Sequence, residues 1–114
     1  MTFLINIAEL PLSGETARVF KGSQYSDTNI SFFLIDAPSG EGPSLHSHPY
    51  EEIFVIQAGQ VTFTVGDVTI EATGGQILIA PAGVPHKFIN SGTTQLRSIN
   101  IHPSSRMITE WLED

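Results

Sequence analysis

Cysteine is absent from this chain of 114 residues. Disulfides and thiolate metal ligation are therefore excluded. Cations are scarce as well: Lys and Arg number 5 against 12 Asp and Glu, for a formal net charge of -7. A nucleic-acid duplex or an anionic membrane surface would repel such a chain, and few cations exist to hold a phosphorylated substrate. No apolar run approaches the length that spans a bilayer. The opening residues, Met-Thr-Phe-Leu-Ile-Asn-Ile-Ala-Glu, lack a basic stretch and a long apolar stretch. They do not read as a secretory signal, so the cytoplasm is the default expectation. Internal repeats, low-complexity segments and interdomain linkers are also missing, which predicts one domain over residues 1–114.

What the chain does have is a period of two. Val61–Val65 and Val68–Ala72 alternate apolar and polar residues around Gly66-Asp67, a pair that suits a tight hairpin turn. Further strands are expected at Thr16–Phe20, Ile30–Ile35, Glu51–Gln57, Gln76–Ile79, His86–Asn90 and Leu96–His102. Many short strands predict an all-β sandwich or barrel. Asp36–Ser44, rich in Pro and Gly, is expected to be a loop at the mouth of any site. The last ten residues predict a short C-terminal helix, with Ser105 as its cap and Met107, Ile108, Trp111 and Leu112 on one face.

Chemistry concentrates in His46, His48, Glu52 and His86. Side chains two and four apart on a strand share a face. An extended chain from Leu45 to Phe54 would therefore point His46, His48 and Glu52 the same way. His86 follows a Pro-Ala-Gly-Val-Pro turn and must be returned by the fold. A carboxylate and three imidazoles buried together carry a heavy desolvation cost, which a divalent cation removes. Three nitrogens and one carboxylate oxygen suit Fe, Mn, Ni, Co, Cu or Zn in the divalent state.

Residues 40–59, GEGPSLHSHPYEEIFVIQAG, fit the pattern G-x5-H-x-H-x3-E-x6-G. Residues 75–90, GQILIAPAGVPHKFIN, fit G-x5-P-x-G-x2-H-x3-N. Every fixed position is filled, and the two segments resemble the paired signature motifs of the cupin family. The resemblance implies a jelly-roll barrel, the double-stranded β-helix, spanning nearly the whole chain. It also implies metal ligation by His46, His48, Glu52 and His86. Gly40, Gly59, Gly75, Gly83 and Pro81 carry over as turn-formers, and Asn90 is read as structural, closing a hydrogen bond beside a turn.

Other residues receive plainer readings. Glu51 falls on the opposite strand face from the ligands and is expected in solvent or at a dimer contact. His102 matches no motif position and is expected at the surface or a strand end, with a supporting place behind the ligands as the lesser alternative. Tyr50 is placed at the rim. Phe54, Ile56, Phe63 and Phe88 share the inward face, where Phe54, Phe63 and Phe88 would wall a pocket for an apolar or aromatic substrate. Trp111 is read as packing.

Four protein donors on an octahedral ion leave two positions open. The resemblance thus implies a metal-dependent enzyme, a dioxygenase-like oxidoreductase acting on a small oxygen-rich or aromatic molecule, with Glu52 able to double as a proton acceptor. The alternatives are non-catalytic binding or storage of a small molecule, or a metal-dependent isomerase. The absence of a second motif pair weakens an oxalate-decarboxylase reading. A homodimer is expected from the apolar segments Phe3-Leu4-Ile5 and Met107–Leu112.

Overall fold

The computed structural model describes residues 1–114 and is built from eleven strands with two single 3-10 turns, at Ile7–Glu9 and Gly22–Gln24. The strands are β1 (Leu12–Ser13), β2 (Ala17–Lys21), β3 (Ser31–Ala37), β4 (His46–Ser47), β5 (Glu52–Ala58), β6 (Gln60–Val65), β7 (Val68–Thr73), β8 (Ile77–Ala80), β9 (His86–Asn90), β10 (Leu96–His102) and β11 (Glu110–Trp111). One sheet runs β1-β2-β3-β10-β5-β8, and the other runs β11-β4-β9-β6-β7. Every pairing is antiparallel. This is the all-β jelly roll that the motifs imply. No helix is long and apolar enough to cross a membrane.

The core lies between the sheets because alternate residues of each strand turn inward. Phe54, Ile56, Leu78 and Leu96 from one sheet meet Val61, Phe63 and Phe88 from the other. Phe54 and Phe63 pack edge to face at a centroid distance of 4.9 Å, a favoured aromatic geometry. The β6–β7 hairpin closes through Gly66-Asp67 as expected, with Gly66 at a φ of 57°. Gly42 meets a different demand: a Cβ there would overlap the Phe88 carbonyl, so the mouth loop can lie against β9 only without a side chain.

The outward face of the six-stranded sheet is unusually apolar. Register aligns Phe20, Phe32, Ile101, Ile53 and Ile79 in one row across five strands. Leu34, Ile99, Val55 and Ile77 form the row beside it.

The expected C-terminal helix does not form. The segment is extended, and β11 pairs with β4 through Glu110↔Ser47 and Trp111↔His46. The Leu112 N–H continues the pairing to the Leu45 carbonyl at 2.9 Å. An isolated helix of this length is marginal, whereas β4 would otherwise be an edge with unmet backbone donors and acceptors. Edge pairing wins over helical periodicity.

Candidate metal centre

The four expected ligands meet. Their donor atoms lie within 4.8 Å of one another, and all four residues are buried. The route differs from the expected extended run. Six residues of uninterrupted strand would separate His46 from Glu52 by roughly 20 Å, too far for one ion. Instead the chain leaves the five-stranded sheet after Ser47, turns through His48-Pro49-Tyr50-Glu51 and joins the six-stranded sheet at Glu52. Pro49 has no N–H to continue a ladder, which favours the corner there. Glu51 points outward and is exposed, as strand parity requires. His46 sits directly opposite His86 on the β4–β9 pair, with ring centroids 4.5 Å apart.

Backbone carbonyls fix how these imidazoles face. His46 Nδ1 donates to Ser44 O at 2.7 Å, His48 Nδ1 to Ile108 O at 2.8 Å and His86 Nδ1 to Val84 O at 3.1 Å. A neutral ring with its proton on Nδ1 presents the Nε2 lone pair on its other side. Three lone pairs therefore converge on Glu52. His86 Nε2 and His48 Nε2 both lie 3.0 Å from Glu52 Oε1. The His48 contact is off the line of a hydrogen bond, so that buried nitrogen is left without a partner. Acceptors facing a carboxylate repel unless a proton or a cation stands between them. The donor set and the orphaned nitrogen thus fit one divalent ion held by His46, His48, Glu52 and His86.

The ionisation of the site follows from burial and close neighbours. Burial alone would push the Glu52 carboxyl up, but contacts with His102, His48 and His86 outweigh it and hold the group well below its usual range. Burial lowers His46; the Ser44 carbonyl opposes this, and His86 and His48 reinforce it. Burial raises the Tyr50 phenol against the opposing Ile108 N–H, and the Glu52 charge acts with burial. Tyr50 is therefore a hydroxyl at neutral pH.

His102 is not at the surface. It is 1% exposed, on β10, with Nε2 3.3 Å from Glu52 Oε2 and Nδ1 2.6 Å from the Tyr50 hydroxyl. The inward face of β10 is polar, carrying Ser98, Asn100 and His102, while Ile99 and Ile101 face out. A reading that buries apolar residues assigns that strand to the wrong face. The even spacing of Ser98, Asn100 and His102 from the buried Leu96 was the available signal. Asn90 has its expected structural role: its amide donates to Ala37 O at 2.9 Å and Thr94 O at 2.8 Å, and its Oδ1 accepts the Gly92 N–H.

With the site described, comparison places it among known proteins. The profile of the cupin domain matches residues 33–102, more than half of the chain. This chain belongs to the cupin family. An uncharacterised protein of Streptomyces coelicolor is 32% identical over 62 residues, 54% of this chain and 59% of that protein. Protein SchB of Streptomyces halstedii is 39% identical over 61 residues, covering 53% and 44% respectively. The match thus spans about half the length of these curated relatives. Among solved structures, a conserved Klebsiella pneumoniae protein with a double-stranded β-helix domain superposes over 100% of both chains, at a TM-score of 0.75 and 18% identity. Bacillus subtilis oxalate decarboxylase, described with Mn(II) centres, gives a TM-score of 0.80 at 20% identity over 92% of this chain and 30% of its own. Recombinant oxalate oxidase in complex with glycolate gives 0.78 at 16% identity, over 96% and 63%. At these identities the structures share the fold.

The cupin barrel opens beside the centre into a cavity of about 260 Å³. Its apolar wall includes Phe33, Ile35, Phe88 and Trp111, and no Lys or Arg lines it. Of the expected aromatic walls only Phe88 reaches the cavity. Phe54 and Phe63 are 1% and 2% exposed in the core beyond it. Trp111 does more than pack: its ring lies 4.9 Å from that of His46, at the cavity wall. Glu41, Gly42 and Pro43 of the expected mouth loop complete the rim.

Proposed function

We propose that this cupin is a metal-dependent enzyme that acts on a small, uncharged, oxygen-bearing or aromatic molecule, with dioxygenase-like chemistry. The convergence of three imidazole lone pairs and one carboxylate beside a mostly apolar cavity carries this reading. An ion held there supplies polarisation of a substrate oxygen or redox access to dioxygen. The chain itself supplies the rest. Phe33, Ile35, Phe88 and Trp111 exclude water and pack a flat or apolar body. Ser98 Oγ donates to Asn100 Oδ1 at 2.7 Å, leaving the Asn100 amide nitrogen as a donor at the cavity wall. Glu52 stays ionised in this setting, which suits it to hold the ion and makes it a weak proton acceptor. The lack of a cationic side chain in the lining speaks against a dicarboxylate or phosphorylated substrate.

The test is to strip the protein with chelator and reload it separately with Fe(II), Mn(II), Ni(II) or Zn(II). Oxygen uptake is then followed with a panel of enediols and flavonols. Uptake that requires a redox-active ion and is lost in Glu52→Gln is expected. Thermal stabilisation by a panel member with no turnover under any ion would replace the enzyme reading with non-catalytic binding. Turnover that is independent of oxygen would point to isomerisation.

A further inference from the structure

We propose that His102, oriented by Tyr50, is a positioning residue that holds the second oxygen of Glu52 and so fixes how that carboxylate meets the ion. The inference rests on the metal-binding reading of the site. Its ground is that the four histidines of this chain adopt two opposite tautomers. His46, His48 and His86 each face a backbone carbonyl through Nδ1, which turns a lone pair inward. His102 Nδ1 faces the Tyr50 hydroxyl at 2.6 Å instead. That hydroxyl already accepts the Ile108 N–H at 3.1 Å, so its own proton is free to be donated. Donation to His102 Nδ1 leaves the imidazole proton on Nε2.

Nε2 lies 3.3 Å from Glu52 Oε2, off the line of a hydrogen bond, and has no other partner. With its proton there, His102 has no lone pair to offer an ion, and Glu52 Oε2 is the acceptor within its reach. Glu52 Oε1, the oxygen between His48 and His86, is then the one left to ligate. The arrangement is rigid for three reasons. His102 ends β10, where its carbonyl accepts the Ser104 N–H at 2.8 Å. Phe33 packs edge-on at 5.7 Å. The His48 and Tyr50 rings stack at 5.3 Å with an interplanar angle of 3°. Partners of this kind typically alter metal affinity by about 10–100-fold when removed.

The experiment uses full-length protein stripped with chelator and titrated with Co(II), read by calorimetry and by the visible spectrum of the bound ion. Wild type is expected to bind one equivalent. His102→Leu, which removes the donor, should weaken binding by roughly 10–100-fold and move the visible bands. His102→Gln, which places an amide N–H near Nε2, should recover most of the affinity and the wild-type bands. Tyr50→Phe should fall between them. Equal affinity and identical spectra for wild type and His102→Leu overturn the inference. So does a His102→Gln spectrum showing one nitrogen ligand fewer, because His102 is then a ligand itself. If His102→Leu fails to fold by circular dichroism, Tyr50→Phe decides: wild-type affinity and bands in that variant overturn the inference. Wild-type protein that binds no Co(II), Mn(II) or Fe(II) removes the metal centre itself, an outcome distinct from failure of the positioning role.

Discussion

At the scale of single residues, the decisive bonds are the ones at Nδ1. The Ser44, Ile108 and Val84 carbonyls each accept a hydrogen bond from Nδ1–H, which keeps the ring proton off the nitrogen that faces the metal site. Replacing His86 by Gln should cut divalent-metal affinity by at least about 100-fold, beyond the range seen for indirect partners, as calorimetry can check. Acid should act on the same groups. His46 is lowered from an ordinary value of 6.5. As pH falls below that value the unfolded chain takes up the proton first, so the folded state loses stability. Urea denaturation should give a smaller unfolding free energy at pH 5.5 than at pH 7.5. Metal should also leave below about pH 6, and unchanged metal content after dialysis at pH 5 would contradict the site. The ligands were legible because His and Glu at motif spacing are chemically distinctive. His102 was less so, because it matches no motif position and its role depends on which face of β10 turns inward.

Among the elements, β11 matters most to the site. Its approach supplies the Ile108 carbonyl to His48 and the Ile108 N–H to Tyr50, and its Trp111 lines the cavity. Deleting residues 107–114 should therefore weaken metal binding by about 10–100-fold, although no ligand is removed. Metal titration of the truncated chain, with circular dichroism to confirm folding, checks this. Affinity equal to that of the intact chain would show that His48 keeps its orientation unaided. The β6–β7 hairpin was legible from Gly66-Asp67 between two alternating runs. The remaining long strands lie within about two residues of expectation, the usual uncertainty of strand ends. β1, β4 and β11 were not legible: two residues cannot display a period, and their pairing is decided by distant chain. Met107, Ile108, Trp111 and Leu112 have helical spacing, but that pattern cannot reveal that β4 needs a neighbour.

For the molecule as a whole, the outward rows on the six-stranded sheet bear on assembly. Ile77 and Ile79 are 66% and 62% exposed, at the edge strand of that apolar face. This face is a second candidate for the expected homodimer contact beside the chain ends, where Ile108, Trp111 and Leu112 stay 52%, 61% and 43% exposed although the backbone of β11 is paired. Light scattering at micromolar concentration should give twice the chain mass, and Ile77→Lys with Ile79→Lys should return it to one chain. A monomeric wild type would refute this. The centre has its own global consequence. His46 and His86 belong to one sheet and Glu52 to the other, so an ion bound by all three spans the two layers of the sandwich. At a free concentration 100 times its dissociation constant, such an ion adds about 2.7 kcal/mol to unfolding. Chelator should therefore lower the melting temperature in a single cooperative step. The ion would act as a rivet through both leaves, and a plain melting curve would then report whether the rivet is in place.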